Sequence, residues 1–360
     1  MPVFDADRLS ATCSRLFEAA GATAEEANCV AERLVEANLM GHDSHGVIRV
    51  QQYLTAIEKG EIVPGADLEI VSETEASAVI DGNWGFGQLI ALQAAHIALQ
   101  KARSSGLAAV TVRQANHVGR LGGYVEEVAN QGMVGLLFCN AHGAGVGVAP
   151  WGGRRPRLGT NPLAAAVPMG PRQEQDGGSR GMMVLDMTTS VVAEGKIRVK
   201  KNRGEQTPEG WILDDEGRPT TAPDDFYGPP RGSILPFGGS RSGYKGHGLS
   251  IVVDLLAGAL SGAGTTRKPG IRIGNALLLI VLDIEQFVPE EEFVECVCGL
   301  ARFVKSSALM EGFEEIILPG EIEQRHLASR RSTGVFIEDQ TWDQISALGA
   351  KLGVETNGLG

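Results

Sequence analysis

Between residues 77 and 140 the chain alternates short apolar runs with longer amphipathic stretches. SAVIDG (77–82), LAAVTV (107–112) and MVGLLFCN (133–140) have the length and β-branched content of strands. Gln88–Ser104 and Leu121–Gln131 carry helical periodicity between them. Strand, helix and strand in succession imply crossovers, and hence a sheet covered by helices. Further strands are expected at 163–167, 182–186 and 276–284, and an amphipathic helix over His247–Leu260.

Upstream the pattern is helical. Residues 7–20 put Leu9, Cys13, Leu16 and Phe17 on one face. Thr23 with Glu26 forms a capping box, in which hydroxyl and carboxylate each satisfy an orphan amide. The helix it opens runs to about Met40, with Cys29, Val30, Leu34 and Val35 as its stripe. GHDSHG interrupts it, and Val47–Lys59 resumes as a short helix. The expected organisation is a helical unit over 1–75 and an α/β unit over 76–337, with a helix in 338–356 returning to the first. The acidic run near 289–295 reads as a solvated face.

A formal net charge of -12 opposes non-specific binding to nucleic acid or anionic lipid, while leaving room for a local basic pocket that holds a small anion. The cysteines at 13, 29, 139, 296 and 298 form no CxxC pair, which argues against a disulfide framework or a thiolate zinc site. MPVFDADRL lacks a basic segment followed by an apolar run, and ALLLIVL (276–282) is too short to span a bilayer. The expectation is a cytoplasmic protein.

Chemistry concentrates in a few polar, glycine-bounded segments. Gly41-His42-Asp43-Ser44-His45-Gly46 places two imidazoles between helices, with Arg49 close behind. Asp43 or Ser44 suits a helix cap. Histidine titrates near neutrality, so His45 suits proton exchange with an alkoxide, and the planar fork of Arg49 suits a carboxylate. Asn116-His117-Val118-Gly119-Arg120 follows a strand, where open α/β sheets bind ligands. Asn140-Ala141-His142-Gly143 leads a glycine-rich run that resembles a phosphate cradle without the GxGxxG order. Gly159-Thr160-Asn161-Pro162 and Asp186-Met187-Thr188-Thr189-Ser190 form another pair of strand ends. There a hydroxyl would cap the following helix, whose amides would receive pyrophosphate, and Asp186 would orient an imidazole. Lys245, among the glycines of GYKGHG, would meet an anion at a helix start. A metal-dependent hydrolase using His42, His45 and Asp43 or Asp186 is the alternative from another class, although HExxH is missing.

Taken in order, GHDSHGVIR, ANHVGR, APWGG…RLGTNPLA, LDMTTSVVAEGK, GYKGHG and LPGE resemble the malate/L-lactate dehydrogenase family. That family is distinct from the Rossmann-fold lactate and malate dehydrogenases. The likeness runs from about residue 4 to residue 356 and is nearest to the bacterial hydroxycarboxylate dehydrogenase B branch. It implies a non-Rossmann α/β fold of the L-sulfolactate dehydrogenase kind, with a mixed sheet and a mainly helical amino-terminal unit. It also implies a homodimer, NAD or NADP as cofactor, no metal, and interconversion of 2-oxoacids and 2-hydroxyacids. Some relatives reduce cyclic 2-imino acids instead. By resemblance His45 is the acid/base, paired with Asp186, and Arg49 and Ser44 meet the substrate. Asn116, His117 and Thr160 lie beside substrate and nicotinamide. Asn161, Asp186, Met187, Thr188, Thr189, Ser190, Tyr244, Lys245, Gly320 and Glu321 contact cofactor. Lys200-Lys201-Asn202, Ile322 and Glu323 depart from the family pattern.

Overall fold

Asp5 and Thr23 start the helices on which the first core is built. The Asp5 carboxylate accepts from the Arg8 amide at 3.0 Å ahead of α1 (Ala6–Ala19). Thr23 and Glu26 close their reciprocal cap at the head of α2 (Ala24–Leu39). Tight turns at Asp43–His45 and Val47–Arg49 precede α3 (Val50–Glu58), so the resumed helix begins later than its periodicity suggested. Leu9, Cys13, Leu16 and Phe17 are fully buried against Val30, Leu34, Tyr53 and Phe86. The end of the chain joins the same core. β1 (Val3–Phe4) pairs antiparallel with β12 (Val335–Phe336), and α11 (Asp339–Leu352) packs on α1 and α3.

A computed structural model describes residues 2–143, 146–172, 180–266 and 272–356. Its main sheet has seven strands, in the order β2 (Glu69–Glu73), β3 (Ser77–Asp81), β4 (Leu107–Ala115), β11 (Gly274–Asp283), β5 (Met133–His142), β6 (Leu163–Arg172), β7 (Arg180–Met187). β3 and β4 are parallel and joined by α4 (Gly87–Ser105), whereas the other neighbouring pairs are antiparallel. α5 (Gly122–Asn130) links β4 to β5, but β11 is inserted between those two strands and pairs with both. Its unbroken run ALLLIVL suits a strand covered on both faces, which is why it sits mid-sheet and not at an edge. The sheet is therefore mixed, as the resemblance implied.

A smaller third core holds Val148, Ile197, Ile212, Phe226 and Ile234. It joins α6 (Glu194–Asn202) and α7 (Pro223–Tyr227) to a small sheet of β8 (Ile212–Leu213), β9 (Pro219–Thr220) and β10 (Ser233–Ile234). α8 (Gly239–Val253) starts well before His247, so GYKGHG lies inside a helix. Its glycines permit close packing: a Cβ at Gly246 would stand 2.5 Å from the Phe237 backbone, and one at Gly243 would stand 2.9 Å from Trp151. α9 (Glu290–Lys305) leaves Leu300 and Phe303 exposed, and α10 (Glu321–Thr333) runs back to α2. No helix among the described residues is long and apolar enough to cross a membrane.

Candidate active site

The loop between α2 and α3 is held rigid from behind. Asn38 donates to Asp43 at 2.8 Å and accepts from the Val47 amide at 2.8 Å. A Cβ at Gly46 would stand 2.1 Å from that Asn38 oxygen, so only glycine permits the approach. Arg330 of α10 grips both carboxylate oxygens of Asp43 at 2.6 and 3.1 Å. Asp43 is thus an anchor for the loop, and neither it nor Ser44 caps a helix.

The anchored loop delivers His45 against His117, which leaves the end of β4. Their rings stack with centroids 5.6 Å apart and planes 9° from parallel. Both are half-buried, with one edge open to a cleft. Burial, reinforced by the Arg49 guanidinium and then by His42 and Lys196, pushes the His45 pKa down to about 3. Burial and Arg49 also push His117 well below its usual value. Both imidazoles are neutral at neutral pH.

His45 opens onto a cleft of about 300 Å³ that also receives His42, Ser44, Thr160, Asp186, Met187, Thr188, Ser190 and Lys196. Leu121, Pro162, Val192, Trp211 and Phe237 supply its apolar walls. Asp186 accepts from the Gly122 amide at 2.7 Å, and burial raises its pKa against the pull of His42 and Arg120. No hydrogen bond joins Asp186 to His45 among the described residues; His45 Nδ1 instead lies 3.2 Å from Ser44 Oγ. The expected pairing is therefore corrected to a shared cleft. The hydroxyls of the next segment are spent locally. Thr188 donates to the Ser190 carbonyl at 2.8 Å, Thr189 to the Thr160 carbonyl at 3.0 Å and Ser190 to the Val192 carbonyl at 2.7 Å. None caps α6, whose N-cap position is Ala193.

A second cleft, of about 610 Å³, lies beyond His117 and is lined by Tyr53, Asn116, Arg198 and Arg272 among others. Tyr53 Oη stands 2.6 Å from His117 Nδ1 and accepts from Gln88 at 2.8 Å. Asn116 donates to the Trp84 and Gly85 carbonyls at 2.7 and 3.1 Å, which sets the turn ahead of α4.

Other expected contacts are not brought together. Arg49 lines neither cleft: its Nε donates to the Ser44 carbonyl at 2.7 Å and its Nη1 to Gln52 at 2.7 Å. Its charge acts on both imidazoles. Asn161 is buried and ties β5 to α8, accepting from the Ala141 amide at 3.4 Å and donating to the Ser250 carbonyl at 3.3 Å. Thr189 is buried as well. Tyr244 and Lys245 are exposed mid-helix, so no lysine-bearing helix start exists there. Gly320 packs on Val184, and Glu321 accepts from the Leu318 amide at 3.0 Å; neither reaches a cleft. Within the glycine-rich run after Asn140, residues 144 and 145 lie outside the described residues. Tyr53, Gln88 and Lys196 were not singled out by sequence reasoning, because each sits on a helix whose register alone does not reveal a cleft.

The profile of the malate/L-lactate dehydrogenase family matches residues 4–346. The chain belongs to that family. It is 38% identical over 340 residues to L-sulfolactate dehydrogenase from Methanocaldococcus jannaschii, covering 93% of this chain and 92% of that protein. A solved sulfolactate dehydrogenase from the same organism superposes with a TM-score of 0.84 at 35% identity, covering 98% of both chains. Hydroxycarboxylate dehydrogenase B from Escherichia coli is 32% identical over 356 residues, covering 98% of this chain and 94% of that one. The solved delta1-piperideine-2-carboxylate reductase from Pseudomonas syringae has a TM-score of 0.80 at 29% identity, covering 97% of this chain and all (100%) of that one. The family makes this chain a hydroxyacid dehydrogenase by kind.

Proposed function

We propose that the protein interconverts 2-oxoacids and 2-hydroxyacids with NAD or NADP, with His45 moving the proton. The observation that carries the reading is a neutral His45, fixed by its loop and open to a cleft that mixes apolar walls with hydroxyls and one carboxylate. In the oxidative direction the neutral imidazole accepts the substrate hydroxyl proton; in reduction it returns that proton to the oxygen. Arg49 opposes the imidazolium, and an anionic substrate beside His45 offsets that opposition. Asp186, in the same cleft, adds negative charge when ionised.

The lining supports a nicotinamide dinucleotide. Leu121, Pro162 and Trp211 offer apolar faces to a ring. Thr188 and Ser190, their protons already donated, keep oxygen lone pairs for carboxamide or ribose donors. When bound, the nicotinamide supplies or takes the hydride at substrate C2, while the protein provides alignment and electrostatics. The likeness to a piperideine carboxylate reductase favours cyclic 2-imino acids as a second reading, with the same histidine as acid. We also propose a homodimer as the working form, supported by the exposed Leu300, Phe303, Met310 and Phe313, and a cytoplasmic location as expected from the sequence.

A steady-state screen of pyruvate, oxaloacetate, sulfopyruvate, arylpyruvates and cyclic imines with NADH and NADPH tests the reading. Turnover of at least one 2-oxoacid is expected. Turnover confined to imines would transfer the assignment to the second reading.

A further inference from the structure

The dinucleotide reading fills the cleft of His45 and leaves the second cleft, lined by His117, without an occupant. At about 610 Å³ against about 300 Å³ it is the roomier of the two, and His117 joins them by stacking on His45. Its charged lining among the described residues is Lys59, Glu61, Arg198 and Arg272. In formal charge Lys59 offsets Glu61, and Glu194 offsets Arg198 through their ion pair. His117 is neutral, so the charge left over is that of Arg272.

Arg272 is held in place by groups that carry no charge. Its guanidinium carbon stands 4.2 Å from the centroid of the Trp84 ring, a cation on an aromatic face. Nη2 donates to the Gly60 carbonyl at 2.9 Å and to the Glu61 carbonyl, while Nε is buried without a partner. No carboxylate pairs with it among the described residues. The aromatic platform is itself fixed. Trp84 keeps a left-handed backbone at φ 61°, its amide on the Gln114 carbonyl at 2.8 Å and its carbonyl accepting from Asn116 at 2.7 Å. A Cβ at Gly274 would stand 2.7 Å from that ring, so glycine lets β11 start close enough for Arg272 to cover the indole. His142 meets the same ring edge-on and is kept neutral by burial.

We propose that the second cleft receives the side chain of the 2-oxoacid and that Arg272 binds a second acidic group there, so that the preferred substrates carry a distal carboxylate or sulfonate. The proposal rests on the 2-oxoacid reading and names the substrate class within it. The carboxylate next to the keto group stays with the turn between α2 and α3, as the resemblance implied, where Arg49 keeps Nη2 without a partner. An acidic side chain gives Arg272 the charge-assisted contact that its neutral neighbours do not, whereas a methyl group leaves the charge unanswered.

The test is calorimetric titration of the full-length protein, saturated with reduced nicotinamide dinucleotide, using N-oxalylglycine and N-ethyloxamate. Both carry the same non-reducible oxamate head, and only the first ends in a carboxylate. Wild type should bind N-oxalylglycine roughly ten- to a hundredfold more tightly, the usual range for a hydrogen bond to a charged group. Arg272→Met should remove that preference and leave N-ethyloxamate and dinucleotide affinity unchanged, and Arg272→Lys should restore part of it. If Arg272→Met does not fold, Arg272→Gln, which keeps a donor for the Gly60 carbonyl, makes the same comparison. In turnover the variant should lose kcat/KM on oxaloacetate, 2-oxoglutarate or sulfopyruvate and keep it on pyruvate, and the acid that loses most names the distal group. No preference in wild type, no binding of either oxamate, a preference that survives the substitution, or an equal loss on both oxamates overturns the proposal. So does a loss confined to the dinucleotide, which would give Arg272 to a cofactor phosphate. Failure of the functional reading is separate, because it appears as wild type that turns over no 2-oxoacid, pyruvate included, in the substrate screen.

Discussion

His45 and His117 lie face to face, with ring centroids 5.6 Å apart and planes 9° from parallel, and each opens its edge to a different cleft. With Arg49 lowering the proton affinity of both, the pair resists carrying two protons at once. His45 shares its cleft with Asp186, Ser44 and Lys196, and it is the member proposed to exchange a proton. His45→Asn should lower kcat by about 10²–10⁴-fold, the usual contribution of a positioned acid/base. Circular dichroism and dinucleotide binding should be unchanged. Normal turnover in a folded variant would remove His45 from the chemistry.

The same burial makes stability depend on pH. The His45 pKa is near 3 in the folded chain against about 6.5 when unfolded, so between those values the unfolded state holds the extra proton. The stability contribution is complete above about pH 6.5 and is lost as pH falls toward 3, at a slope approaching 1.4 kcal/mol per pH unit for each such group. His117 acts in the same direction. Urea unfolding at pH 7, 6 and 5 should show wild type losing stability more steeply than His45→Gln. Parallel slopes would mean that His45 is already charged in the folded protein.

What the sequence revealed and what it hid divide along physical lines. The capping box at Thr23, the buried face of α1 and the β3–α4–β4 crossover were legible because local periodicity and capping chemistry specify them. The central position of β11 was not, since strand order depends on long-range pairing that a window of residues does not contain. Among site residues, His45, Ser44, Thr160, Asp186, Met187, Thr188 and Ser190 do meet in one cleft. Arg49 shares its helical end with His45, but spacing cannot say which donors the Ser44 carbonyl and Gln52 will capture. Glu323, a departure from the family pattern, proves to be the partner of His42, a contact between residues far apart in the chain.

Gly195→Ala tests the contact that joins α6 to the His45 loop. The new methyl would begin 2.5 Å from the Ser44 Cβ, so either helix or loop must move. The expected destabilisation is about 1–3 kcal/mol, the range for overpacking. Turnover should fall further than stability alone explains, because the cleft wall and the His45 loop separate together. Thermal unfolding with kinetics at a temperature where the variant remains folded checks both effects. A variant as active and as stable as wild type would show that the contact is slack.

Chelation separates the dehydrogenase reading from a metal-dependent hydrolase. Among the described residues no group of three or more His, Cys, Asp or Glu is placed to hold a metal ion, and Asp43 is already gripped by Arg330. Prolonged dialysis against a chelator, followed by elemental analysis, should leave 2-oxoacid reduction intact. Activity lost on metal removal and restored by added Zn²⁺ would favour the hydrolase alternative.

Tyr53 should set the tautomer of His117. Its hydroxyl is buried and accepts from Gln88 Nε2 at 2.8 Å, so its own proton is free to go to His117 Nδ1, 2.6 Å away. A neutral imidazole that accepts at Nδ1 carries its hydrogen on Nε2. Burial raises the Tyr53 pKa to about 12, so this donor stays protonated across the working range. In Tyr53→Phe the constraint disappears, and His117 is free to flip or change tautomer. Nitrogen-15 NMR of labelled imidazoles should report an Nε2–H form for His117 in wild type and a mixture in the variant. If His117 donates to substrate or nicotinamide through Nε2, kcat/KM should drop roughly tenfold in Tyr53→Phe, about the value of one neutral hydrogen bond. Thermal stability should fall only modestly, because the ring still fills its place against Phe17. An Nδ1–H tautomer in wild type would reverse the direction of the Tyr53 contact and make His117 the donor to the phenol.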